Sequence, residues 1–114
     1  MKVEVLKQFK QKDEFIKKIG MEYRKFKFFE FEYLSIREDE TVYLERKKDK
    51  NYYSDLKNKV DYILEQLDEQ STRIIYSDYL VNSCDNWWIY FYSKSTYYRL
   101  KNKAMNLFLE WWYA

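Results

Sequence analysis

An all-α domain is the fold class this sequence predicts, and three observations carry it. The 114 residues contain no Pro and a single Gly, too few turn formers for a sandwich or barrel. Apolar residues recur at three- and four-residue steps through most of the chain. Between those stretches stand Ser, Asp and Asn clusters of the kind that cap helices. The length suits one domain with one modest core.

Residues 1–12 are basic and polar, with Val3, Val5, Leu6 and Phe9 as anchors of a helix or frayed arm. From Asp13 to about Arg37 the series Phe15, Ile16, Ile19, Tyr23, Phe26, Phe29 or Glu30, Tyr33 and Ile36 keeps helical spacing. Lys25 to Tyr33 also alternates as a strand would, but the run is long and has no hairpin residues, which favours helix. Gly20 inside it costs a helix about 1 kcal/mol. Glu38 to Asn51, with Arg46-Lys47-Lys48-Asp49-Lys50, is a polar linker whose charges suit solvent more than a phosphate contact. Residues 1–53 therefore form an N-terminal helical region with a linker at about 38–51, and 54–114 the remainder of one compact domain.

Ser54 or Asp55 caps the next expected helix, with Leu56, Val60, Ile63, Leu64 and Leu67 facing inward. Asp68-Glu69-Gln70-Ser71 marks a corner, and Asp68 and Glu69 suit the positive N-terminal end of a helix carrying Ile74, Ile75, Tyr79 and Leu80. Asn82 to Asn86 marks a second corner, where Ser83 or Asp85 caps a short aromatic helix, Trp87 to Phe91. Tyr92 then leads to Ser93, the N-cap of a long last helix. A short helix, a tight turn and a longer basic helix follow helix-turn-helix order, so the N-terminal helices are expected to pack on a C-terminal helix-turn-helix.

The last helix has two faces. Tyr97, Leu100, Ala104, Leu107 and Phe108 form its apolar stripe. Ser95, Tyr98, Arg99, Asn102 and Asn106 stand opposite, with Lys94, Lys101 and Lys103 on the flanks. No acid occurs between Asp85 and Glu110, and four of the six bases after residue 58 fall within Lys94–Lys103. Arg pairs with guanine edges, Asn with adenine, and Lys neutralises phosphates, so this is the composition of a major-groove reader. Arg99 and Asn102 are the expected base readers, helped by Ser95 and Thr96. Lys94, Lys101 and Lys103 are the expected phosphate contacts. Tyr97 belongs to the core by its place on the stripe, whereas Tyr98 is open to either role.

The segment Ile63-Leu64-Glu65-Gln66-Leu67, then Arg73-Ile74-Ile75 and Tyr79-Leu80, then Ser93-Lys94-Ser95-Thr96-Tyr97-Tyr98-Arg99-Leu100-Lys101 with Ala104 and Phe108, resembles the ArpU-type phage transcriptional regulators. These are in turn similar to region four of sigma factors. The resemblance covers about residues 55–110, and its most specific part is the Ser-x-Ser-Thr-Tyr-Tyr-Arg-x-Lys run. It implies sequence-specific binding of double-stranded DNA by the helix that begins at Ser93, in the control of transcription. The chain departs from that pattern where a small aliphatic helix ending in Gly is usual, having Trp87, Trp88, Tyr90 and Phe91 instead. Without Gly the turn must avoid positive φ or carry strain of about 1–3 kcal/mol.

Other chemistries find little here. With no His and one Cys, His–metal sites, His-dependent triads and an internal disulfide are excluded, and no cofactor or metal is expected. The carboxylates show no pairing on a shared apolar face, so no enzyme is expected. Cys84, with no base beside it, is expected to be a small, partly buried residue. No apolar run approaches a membrane span, and Met1-Lys2-Val3-Glu4 begins no signal-peptide core, so a cytoplasmic chain away from membranes is the expectation. Trp87, Trp88, Trp111 and Trp112 are expected in the core or at a partner interface. RNA polymerase and a second copy of the chain are the further partners this reading admits, since paired half-sites raise affinity. The rival reading is a helical protein-interaction module, such as a polymerase adaptor, that keeps the fold without touching DNA. Single-strand binding through stacked tyrosines is a third.

Overall fold

The computed structural model describes residues 8–35, 54–81 and 83–114, with backbone alone for 26–35. Among these residues every regular element is helical. Helix α1 spans Phe9–Ser35, the one helix of the N-terminal region among the described residues. The backbone stays helical through Lys25 to Tyr33, which decides that run against a strand. Residues 54–66 form α2, and α3 spans Glu69–Ile75. A π-helical turn, Tyr76–Leu80, extends α3. A 3-10 helix, Trp87–Tyr90, precedes α4, which spans Lys94–Trp112. The expected anchors Val3, Val5 and Leu6, the side chains of the outer stripe from Phe26 to Ile36 and the linker at 38–51 lie outside what is described, whereas Ser54 and Asp55, the expected caps of α2, stand within its first turn.

One core serves all the helices. Ile16, Ile19 and Tyr23 of α1 meet Val60 and Ile63 of α2, Ile74, Ile75, Tyr79 and Leu80 of the third segment, and six residues of α4. Burying an aliphatic or aromatic side chain of this size contributes about 1.5–3 kcal/mol. Asp68 caps α3 as its position suggested, accepting from the Ser71 amide at 2.7 Å and from the Ser71 hydroxyl at 3.0 Å. The Thr72 hydroxyl donates to the Leu64 carbonyl at 3.1 Å, which closes the end of α2.

The π turn explains how α3 buries four residues at five-residue as well as four-residue steps. Its bonds reach five residues back, as in Val81 N–H to the Tyr76 carbonyl at 3.2 Å, and the wider winding brings Tyr79 and Leu80 under Ile74 and Ile75. The carbonyl of Tyr79 is then received by α1. Arg24 Nη1 donates to it at 2.5 Å, and Gly20 lets the backbones approach. A Cβ at Gly20 would stand 3.0 Å from the Tyr79 carbonyl carbon and closer still to its oxygen. The single glycine is thus required by packing and not by a turn.

Gly20→Ala is expected to lower stability by about 1–2 kcal/mol, because overpacking against backbone outweighs the helix-propensity gain. Urea unfolding checks this; a more stable Ala variant would show that the approach of α1 to the π turn is wrong.

Candidate nucleic-acid interface

Helix α4 begins as the sequence implies. Ser93 has extended φ and ψ of −70° and 161°, and its hydroxyl accepts from the Thr96 amide at 3.3 Å and donates to the Thr96 hydroxyl at 2.9 Å. The approach to this cap differs from expectation. The aromatic segment is one 3-10 turn, and its N-cap, Asn86, makes no side-chain cap bond. Neither Ser83 nor Asp85 takes that role. The corner avoids positive φ altogether, with Phe91 at φ −111° and ψ −32°, so no Gly is needed and no strain is stored there. Instead, Trp88 lies flat on Tyr97, ring centroids 4.4 Å apart and planes 7° apart, and Trp87 Nε1 donates to Asp78 Oδ1 at 2.7 Å. Two half-buried tryptophans thereby set the angle at which the chain enters α4.

The buried stripe is Tyr97, Leu100, Ala104, Met105, Phe108 and Leu109. Met105 and Leu109 have joined it, and Leu107 is only half-buried. This rotation carries Lys101 inward, a correction to its expected place among the phosphate contacts. The Lys101 ammonium sits 3.2 Å from Asp78 and 3.5 Å from Asp13, with side chains only 13%, 10% and 16% exposed. The Tyr79 hydroxyl donates to Asp13 at 2.6 Å, and the Tyr97 hydroxyl donates to Asp78. Lys101 is a structural cation. A signal existed in the sequence, because Lys101 stands four residues from both Tyr97 and Met105 and so shares their face.

The rest of the expected outer face divides into three. Along one edge α1 covers it: Phe9 packs edge-on to Tyr98 at 6.0 Å, and Lys12 Nζ donates to Asn102 Oδ1 at 3.1 Å and Asn106 Oδ1 at 2.8 Å. Sequence reasoning missed Lys12, although it lies four residues before Ile16 on the buried stripe of α1. Along the other edge Lys103 is 3.5 Å from Asp68, its charge shared with the cap of α3. Between the edges Ser95 and Arg99 are exposed, as is Lys94 near the cap, while Thr96 is half-buried. Lys94 and Arg99 have no partner among the described residues. Tyr98 is partly exposed, its ring held between Phe9 and Trp88. Cys84 is exposed rather than partly buried, since the corner that carries it stands off the core.

The polar cluster around Lys101 shifts several protonation equilibria. Burial works against the Asp13 charge, but the Tyr79 hydroxyl, Lys17 and Lys101 outweigh it and hold its carboxyl below the usual range. Burial, reinforced by the Asp13 and Asp78 carboxylates, pushes the Tyr79 and Tyr97 phenols far up. Burial and Asp61 push Tyr23 up to about 12. No described helix is long and apolar enough to cross a membrane. In comparisons with protein-family models, curated proteins and solved structures, the chain has no match.

Removing the cation while leaving its carboxylates in place should be severe: Lys101→Met is expected to cost about 3 kcal/mol. Arg99→Ala, on the open face, should change stability by less than about 0.5 kcal/mol. Thermal unfolding of the two variants checks the inward assignment. The raised phenols also give a pH signature. Their contribution to stability is complete below the ordinary tyrosine value of 10.0 and is lost as pH rises through the folded values. Alkaline unfolding should therefore coincide with a late, cooperative rise in tyrosinate absorbance; smooth titration of every tyrosine near pH 10 would contradict the buried network.

Proposed function

We propose that the chain binds double-stranded DNA as a transcription regulator, laying the N-terminal half of α4 along the major groove. The observation that carries this reading is a Ser-capped, 19-residue helix whose exposed strip presents Arg99 and Lys94 without partners among the described residues, in a stretch free of acids from Asn86 to Leu109. The resemblance of the Ser93–Lys101 run to ArpU-type regulators supports it. Arg99 is the base reader, flanked by Ser95 and by the carboxamide of Asn102. Lys94 and, after release from Asp68, Lys103 meet phosphates. Lys101 has no part in contact; it holds α4 to α1 and the π turn. The N-terminal end of α4 adds the favourable partial charge that helix termini offer to phosphate.

A second reading has its own observation. Ile89, Tyr90 and Phe91 stand 52%, 93% and 61% exposed just before the cap, and contiguous apolar exposure of this kind suits a protein partner. On that reading the chain is an adaptor, and its aromatic corner, not α4, makes the contact.

Titration of labelled duplex separates the two. Arg99→Ala should lose about 1–3 kcal/mol of affinity for a selected site and relax its sequence preference. Lys94→Ala should weaken all duplexes alike and reduce the salt slope by about one. Unchanged affinity and salt dependence in both variants, with binding to a protein partner lost in Tyr90→Ala, would replace DNA reading by the adaptor role.

A further inference from the structure

Lys12 is 6% exposed, yet its ammonium is not paired with a carboxylate among the described residues. Its described hydrogen-bond partners are two carboxamide oxygens one helical turn apart on α4, Asn102 Oδ1 and Asn106 Oδ1. An ammonium has three donors and no acceptor, so only the oxygen end of each amide can face it. That fixes the orientation of both side chains chemically: one lone pair of each oxygen is committed to α1, and the NH2 groups point away from the cation as free donors. Arg99, one turn before Asn102 on the same strip, is likewise a donor without an acceptor among the described residues.

This bears on what the strip can recognise. An Asn reads adenine by donating to N7 while its oxygen accepts from the N6 amino group. At Asn102 that oxygen is turned toward the Lys12 ammonium with one lone pair engaged, and this cation repels the amino hydrogens. Guanine presents N7 and O6, two acceptors and no donor, in the major groove. We infer that Lys12 is a specificity-positioning residue that turns this strip of α4 into a donor surface, selecting guanine and rejecting the adenine that an unrestrained Asn102 prefers. The inference rests on the duplex-reading proposal above and names the base chemistry of that same site.

The test is selection of bound sequences by the full chain from a random duplex pool, followed by titrations on the selected site with single guanine-to-adenine replacements. Wild type should select guanine beneath α4 and lose about tenfold or more in affinity when it is replaced, the scale of one base discrimination. Lys12→Met keeps the apolar stem and frees both carboxamides, so it should accept adenine there within about twofold of guanine. Lys12→Arg retains a donor-only cation and should keep the guanine preference. Should Lys12→Met fail to fold, Asn102→Ala decides: loss of the guanine preference supports the inference, and an unchanged preference overturns it. A wild-type site with adenine at that position, or a Lys12→Met preference equal to wild type, overturns the inference while DNA reading stands. Absence of binding to any duplex at low salt overturns both.

Discussion

A single ammonium ties together three parts of the chain that are distant in sequence. Lys101 comes from α4, Asp13 from α1 and Asp78 from the π turn, and their side chains are all largely withdrawn from solvent. Charges taken out of water gain little net stability even when well paired, because desolvation consumes most of the attraction. Their effect is on geometry. Two carboxylates held in place by Tyr79, Tyr97 and Trp87 leave one rotation of α4 in which its cation is satisfied. Which residues of α4 face outward is decided at this point and not by the apolar stripe alone.

That rotation makes the outer surface a composite. Lys101 is withdrawn from it, while α1 contributes Lys12 and Phe9 along one edge and the cap of α3 contributes Asp68 along the other. The helix that looks self-sufficient in sequence therefore has its side-chain chemistry set by its neighbours. Charge counted along the segment overstates the free positive field, and it is Lys94 and Arg99 that keep theirs.

What could be read from the sequence was local. The Ser93 cap was legible from hydrogen-bonding chemistry alone, and Asp68 was placed at the start of α3 by its charge, its cap bond to Ser71 being added by the structure. The all-helical class followed from spacing and from the scarcity of turn formers. The α4 stripe was recovered at Tyr97, Leu100, Ala104 and Phe108, but its edge was not, because Leu107 is as apolar as Met105 and Leu109 and the inward pull of Asp13 and Asp78 on Lys101 is not visible in the local sequence. The same holds for Lys12, whose role depends on two amides at the far end of the chain. Gly20 counted against a helix when judged by propensity, and the structure explains it by the backbone of Tyr79 lying against it. The aromatic corner was misjudged for a related reason: stacking of Trp88 on Tyr97 does the work that a cap and a glycine do elsewhere.

The widened turn at Tyr76–Leu80 has a consequence for how this chain tolerates change in length. Such turns hold one residue more than an ordinary helical turn. Deleting one residue there would restore regular winding with the flanks in register, whereas rewinding the full length as regular helix would swing everything beyond by about 100°, the angle one helical residue subtends. Asp78 would then leave its counterion and the peptide of Tyr79 would no longer meet Arg24. The wide winding at this point is consequently as strictly constrained as side-chain identity.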